Sequence, residues 1–377
     1  MSERLPIPSL HDLLRQRVPR VRVSQFLIGV NLAVFVAMLA SGACLWHSSN
    51  GVQLAWGANF GPATQDGEWW RLGTAMFLHF GVLHLLMNMW ALWDAGQLVE
   101  RMYGPLRFAV IYLLGGVAGN LFSLVSHHGQ AVSGGASGAI FGLYGALLVC
   151  LWRERKNLHP HEFRWLFWGA SGFSVVIVIV GLLIPGIDNA AHIGGFLTGL
   201  VSGVGLARSL QPGEVLPWRQ RLLATTAFAI ALILLVSHVP VPVYRWRDEA
   251  VVRKEVNNFL KDDAVISQTW QEILNERTHD GASFDDLAGR IDMEISDRYE
   301  ENFEQLSQAP INPALPSAGA LRVLRQYAAM RRDASRSMAE GLRNNDSNKI
   351  RQAIALERKS KELQIRAPAA GITSQPD

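Results

Sequence analysis

Three short stretches place reactive side chains inside otherwise apolar sequence. Gly135-Ala136-Ser137-Gly138 carries a hydroxyl, Ala191-His192-Ile193-Gly194-Gly195 an imidazole, and His84-Leu85-Leu86-Met87-Asn88 an imidazole and an amide four residues apart. Polar side chains in lipid-embedded helices are costly, which makes them functional candidates by default. A serine hydroxyl is a weak nucleophile until a base within hydrogen-bond reach takes its proton. Neutral histidine suits that task near pH 7. The tetrahedral intermediate of acyl transfer then needs donors aimed at its oxyanion. The side chains of His84 and Asn88 and the backbone N–H of Ser137 can supply them, and losing one such donor costs ~10²–10³ in rate. No carboxylate has an evident place behind His192. Asp188 precedes it by four residues and reads as a loop or capping residue. The expectation is therefore a Ser137–His192 dyad rather than a triad.

Seven apolar stretches can position these groups, near residues 25–46, 80–99, 106–126, 133–151, 165–184, 189–207 and 221–239. Each approaches the ~20 residues needed to cross a bilayer. The second, fourth and sixth are the least apolar, because they carry the candidate residues. Between the first two lies a long loop, 47–79, with Trp56, Trp69 and Trp70, a residue type that favours the membrane interface. Arg4, Arg15, Arg17, Arg20 and Arg22 precede the first stretch; Arg101 and Arg107, then Arg153, Arg155, Lys156 and Arg164, then Arg208, Arg219 and Arg221 fill every second loop. The alternate loops carry only Arg71. That asymmetry puts the N-terminus in the cytoplasm. It places the region after the seventh stretch outside, although Arg245 and Arg247 follow that stretch closely. Stretches two, four and six then run in the same direction. His84, Ser137 and His192 each fall four to five residues in, roughly 5–8 Å below the helix start at ~1.5 Å per residue. Asn88 lies one turn beyond His84 on the same face.

Taken singly, each residue has a plainer reading: a serine bonded back to the preceding turn, a packing histidine, an asparagine bridging helices. The shared depth and direction favour a site. Gly195 and Gly199 form G-x-x-x-G, a close-packing motif. Gly138, Gly142 and Gly145 offer a matching small surface on the serine segment, so close packing is what lets His192 reach Ser137. Phe141, one turn beyond Ser137, can stack on the imidazole and hold its orientation.

The 377 residues carry a net charge of +3. They hold no basic stripe interleaved with aromatics, so a nucleic-acid partner is not expected. Cys44 and Cys150 fit neither a metal-ligand spacing nor a disulfide framework and read as packing residues. The basic start runs into an apolar segment that reads as a retained first span rather than a cleaved signal. Beyond residue 244 the chain is charged, with helical composition near 247–278, 283–307, 319–344 and 347–366. Pro310, Pro313 and Pro316 mark a break between two helical halves, and residues 367–377 are expected to be disordered.

Other hydrolase patterns fit poorly. His161-Glu162 lacks the second histidine of H-E-x-x-H. There is no G-x-G-D pair, and Gly135-Ala136-Ser137-Gly138-Ala139 fails the G-x-S-x-G elbow and the strand it requires.

On these residues the chain resembles the rhomboid intramembrane serine proteases. The matching elements, in order, are Trp70-Arg71, H-x-x-x-N at His84 and Asn88, G-A-S-G at Ser137, and A-H-x-x-G-x-x-x-G at His192, Gly195 and Gly199. The resemblance covers roughly residues 20–210. It implies an all-α polytopic membrane protein: a six-helix bundle over 25–210 after a basic cytoplasmic start (1–24). A linker and seventh helix (211–240) and a helical soluble region (241–366) would follow. It also implies Ser137 as nucleophile and His192 as general base. His84, Asn88 and the Ser137 N–H would form the oxyanion hole, with Phe141, Gly135, Gly138, Gly195 and Gly199 in support. Trp70 and Arg71 would be structural, as would His79. Stretch 165–184 would be the lateral gate, with Trp165, Phe167 and Trp168 as interface anchors at its inner end, and the 185–191 loop would cap the site. Family members need no metal or organic cofactor. Their substrates are single-span proteins of the bilayer, cut where small and helix-weakening residues lower the cost of exposing a peptide bond. The expected setting is a bacterial inner membrane, with the site near the outer face and the C-terminal region outside, free to bind clients. Two other classes stay open: a catalytically silent rhomboid-like protein that escorts membrane clients, and a transporter. No paired intramembrane charges mark an ion path for the latter.

Overall fold

The computed structural model describes residues 10–210, 217–276 and 283–366. Arg4, residues 211–216 of the linker and the tail 367–377 lie outside the described residues. The described residues form helices joined by loops. Their only strand-like feature is an isolated antiparallel bridge between Asn59 and Ser133. The chain divides into two compact units, one ending at Pro242 and one starting at Val243.

In the first unit seven long helices follow one another: α1 (Arg22–Ala40), α2 (Val82–Tyr103), α3 (Pro105–Ser126), α4 (Ser137–Glu154), α5 (Pro160–Leu183), α6 (Asn189–Gly205) and α7 (Trp218–Ser237). Helices α1, α3, α5 and α7 are each long and apolar enough to cross a membrane. A further span is formed if Arg71–Phe77 and α2, which meet at 93°, count as one bent unit. Helices α4 and α6 are shorter, at 18 and 17 residues. Their glycines and polar residues dilute the apolar signal.

Local chemistry sets the boundaries. Gly104, at φ 84°, ends α2, and Pro105 opens α3, so a reversal takes one residue. The α1 N-terminus is capped from another helix: buried Glu100 accepts from Val23 N at 3.0 Å, Ser24 N at 2.8 Å and Ser24 Oγ at 2.7 Å. A carboxylate is favourable at the positive end of a helix dipole. Tyr103 Oη donates to Ala146 O at 2.8 Å and lies 3.2 Å from Gly203 O, tying α2 to α4 and α6.

Helix α6 packs most extensively on α4 and α3. Helices α5 and α7 lie at the periphery. The first buries only Ala170 and Ser174, the second only Ala224. Trp165, Trp168, Val176, Leu183, Leu223 and Ile233 all face outward. So large an exposed apolar surface suits hydrocarbon rather than water.

The second unit contains α8 (Trp246–Glu276), α9 (Phe284–Ile291), α10 (Asp297–Gln308), α11 (Ala318–Arg343) and α12 (Ser347–Arg366). The proline-bearing 309–317 stretch separates α10 from α11. Its helices are amphipathic and bury Phe259, Ile266, Leu287, Tyr299 and Leu324 in one core. Each such side chain contributes about 1.5–3 kcal/mol over leaving it in water. Within that core Tyr299 Oη donates to Asp263 Oδ1 at 2.7 Å. Burial pushes the Tyr299 phenol up to about 12, so it stays a neutral donor.

Candidate active site

The serine helix begins at its candidate residue. Ser137 is the first residue of α4, His84 the third of α2 and His192 the fourth of α6. The expectation of helix starts four or five residues upstream of each holds for α6 alone. The difference is largest at Ser137, because Gly134 and Gly135 precede it and Gly135 sits at φ 141°, outside the helical region. All three side chains nonetheless project from the first turns of their helices. At a helix N-terminus the first backbone N–H groups have no acceptor within the helix. The dipole there also favours negative charge. Both properties suit a nucleophile that must carry an alkoxide.

His192 Nε2 lies 2.9 Å from Ser137 Oγ, a hydrogen bond between two side chains 55 residues apart. The imidazole is buried and stacks on Phe141, with ring centroids 4.4 Å apart and planes 6° from parallel. Its Nδ1 is also buried and makes no hydrogen bond within the described chain. Asp188 is occupied elsewhere: Oδ1 accepts from Ala191 N at 2.9 Å, capping α6. The geometry is that of a pair oriented by an aromatic ring, without a carboxylate behind the histidine.

The approach of α6 to α4 rests on glycine. A Cβ built on Gly195 would strike Gly138 O, and one on Gly199 would strike Gly142 O. A Cβ on Gly138 would come within 3.3 Å of Ala191 O, next to His192.

On the other side of Ser137, the His84 ring rests against Gly135. A Cβ there would lie 2.9 Å from His84 Cε1, 3.0 Å from His84 Nε2 and 3.8 Å from Ser137 Oγ. The imidazole and the hydroxyl therefore border one small space. His79, fully buried, meets His84 edge-on at 5.1 Å and helps fix its ring. Asn88 Nδ2 donates back to His84 O at 2.9 Å, which locks the amide one turn deeper.

The 47–79 loop is a built structure. Buried Arg71 donates to Leu54 O at 2.7 Å and to Ala58 O at 3.1 Å, pairs with Glu68 and lies over Trp70 at 4.8 Å. Asn120 Nδ2 donates to Leu72 O at 2.8 Å, and Asn59 Nδ2 to Asn120 O at 2.9 Å. Trp165 and Trp168 are exposed, while Phe167 packs on Phe163 at 5.2 Å. Sequence reasoning missed the loop contacts, Asn59, Asn120, Ser123 and Ser133 among them. Their partners lie far away along the chain, where no local pattern reveals them.

Residues 66–209 match the family model described as the Rhomboid domain. The chain is 40% identical over 158 residues to "Rhomboid protease GluP" of Bacillus subtilis (strain 168), covering 41% of this chain and 29% of that protein. Residues 66–209 form a rhomboid domain. Two Arabidopsis thaliana rhomboids extend the comparison. "RHOMBOID-like protein 9, chloroplastic" is 35% identical over 195 residues, covering 48% of this chain and 44% of its own length. "Inactive RHOMBOID-like protein 8" is 37% identical over 163 residues, covering 42% and 44%. The chain thus spans less than half the length of each of these three rhomboids. The all-helical fold and its apolar helices agree with the rhomboid expectation, and the rhomboid domain and these helices make the chain a multi-pass membrane protein. Residues beyond 209 lie outside the matched rhomboid domain.

Proposed function

We propose that this chain is an intramembrane serine endopeptidase acting through a Ser137–His192 dyad. The observation that carries the reading is the 2.9 Å contact between His192 Nε2 and Ser137 Oγ at the first turn of α4. As Ser137 Oγ attacks the scissile carbonyl carbon, His192 Nε2 takes the hydroxyl proton. The carbonyl oxygen becomes an oxyanion, met by the Ser137 N–H and the side chains of His84 and Asn88. Collapse of the intermediate breaks the C–N bond, and the amine leaves with the proton from His192. Water then attacks the acyl ester, with His192 again as base. The carboxylic acid is released and the Ser137 hydroxyl restored. Phe141 holds the imidazole plane throughout.

Residues 25–210 form the catalytic core in this reading, with 211–240 an added membrane span and 241–366 a helical region beyond the membrane. The substrates are single-span membrane proteins approaching beside α5. Alternate loops rich in Lys and Arg support a cytoplasmic N-terminus and a site near the outer face. The C-terminal region would then meet substrate ectodomains outside.

The test is cleavage of a single-span substrate by purified protein in lipid vesicles. Wild type should cut, and Ser137→Ala should not. The second reading, a silent client-binding relative, is favoured by the likeness to a protein named inactive. Substrate that co-purifies with wild type and is never cut would support that reading instead.

A further inference from the structure

Each reacting residue has a polar partner four residues upstream: Ser133 precedes Ser137, and Asp188 precedes His192. Those upstream residues bond to each other. Asp188 Oδ2 accepts from Ser133 Oγ at 2.5 Å and from Ser123 Oγ, at the end of α3, also at 2.5 Å. Its other oxygen caps α6 through Ala191 N at 2.9 Å. His127 Nδ1 lies 4.0 Å from Oδ1. Ser133 is held in turn by the 47–79 loop, since Asn59 and Ser133 exchange both backbone hydrogen bonds at 2.9 Å. Two residues on, Gly135 N donates to Ala75 O at 2.8 Å.

The geometry assigns Asp188 as a positioning residue. Its carboxylate fastens the segment leading to Ser137 onto the N-terminus of the histidine helix. It thereby sets the offset between Oγ and Nε2. This inference rests on the proposed dyad and deepens it. A helix cap alone needs one oxygen. The second oxygen serves the hydroxyls of two other segments, and hydrogen bonds to an ionised acceptor are the strong ones. Without the tie, the glycine-rich approach to Ser137 is free to shift, and a displacement near 1 Å can slow a reaction about a hundredfold.

Capping and fastening separate by substitution. Serine caps a helix about as well as aspartate, but it is too short to reach Ser133 and Ser123. Asparagine keeps the length, and its amide can donate to those hydroxyls. The experiment measures kcat and KM on a transmembrane substrate, with hydrogen exchange of amides 129–136. The proteins are wild type, Asp188→Ser, Asp188→Asn, Ser133→Ala and the double variant Asp188→Ser/Ser133→Ala. The expected result is a kcat lowered about tenfold or more in Asp188→Ser with KM held, and faster exchange over 129–136. Asp188→Asn should recover most of the rate, and Ser133→Ala should add little to Asp188→Ser. Wild-type kcat in a folded Asp188→Ser protein, a change confined to KM, or single effects that simply multiply would overturn the assignment. A wild type that does not cleave counts against the dyad itself. In that case exchange over 129–136 decides alone whether Asp188 fastens the segment: protection unchanged in Asp188→Ser would refute it. Should Asp188→Ser fail to fold, Ser133→Ala beside the hydroxyl-keeping Ser133→Thr tests the same tie with the cap intact.

Discussion

Gly195 backs directly onto Gly138, with no room for a methyl group between the α6 residue and the α4 carbonyl. Gly138 follows Ser137, and Gly195 lies three residues beyond His192. A close approach of the two helices therefore lies beside the place where hydroxyl and imidazole meet. Gly199 against Gly142 repeats the contact one turn further along.

From that packing, Gly199→Ala should separate the helices without touching the reacting atoms. Overpacking of this kind costs about 1–3 kcal/mol. We expect a lower thermal midpoint in detergent together with a reduced cleavage rate. Gly169, on peripheral α5, has open space at its Cβ. Gly169→Ala should leave both quantities unchanged.

Phe141 lies flat on His192, so its removal should act on rate more than on substrate affinity. Phe141→Leu keeps an apolar side chain in a buried position. It loses the ring stack, worth about 0.5–1.5 kcal/mol beyond area burial. The expected outcome is a kcat several-fold lower, recovered by Phe141→Tyr if the hydroxyl is accommodated. Steady-state kinetics on one substrate measure this directly.

The two candidate oxyanion donors should differ. His84 borders the same space as Ser137 Oγ, whereas Asn88 Nδ2 is already committed to His84 O. His84→Ala should lower kcat toward the ~10²–10³ expected for loss of a donor. Asn88→Ala should be milder, because the backbone donors at the start of α4 remain. The ratio of kcat between the two variants reports the difference.

The second unit has its own core and lies outside the matched domain. Deleting residues 243–377 while keeping α7 should leave cleavage of a generic single-span substrate intact. Efficiency should fall for clients with folded ectodomains. Unchanged cleavage of every client tested would remove the client-binding role.

The candidate site is legible in the sequence for a physical reason. Serine, histidine and asparagine stand out where their neighbours are Leu, Ile, Val and Gly. G-x-x-x-G at Gly195 and Gly199 pointed to the close approach that brings His192 to Ser137. The charged α8–α12 segments announced themselves by composition. Helix starts were read less well. The apolar stretch around Ser137 extends upstream through residues that Gly134 and Gly135 keep non-helical, and hydropathy does not register a backbone dihedral. The fastening at Asp188 was legible only as a cap. Its partners Ser123 and Ser133 sit 65 and 55 residues away, a separation that no local pattern reports.

The central claim is that His192 activates the Ser137 hydroxyl. A fluorophosphonate probe reports on that directly, because it forms a covalent bond only with an activated serine. Purified protein in lipid should take up one probe per chain, recovered by peptide mass spectrometry on Ser137. Uptake should vanish in Ser137→Ala and fall to background in folded His192→Ala. Equal labelling of the His192→Ala protein, or a wild type that leaves Ser137 unmodified, would contradict the account.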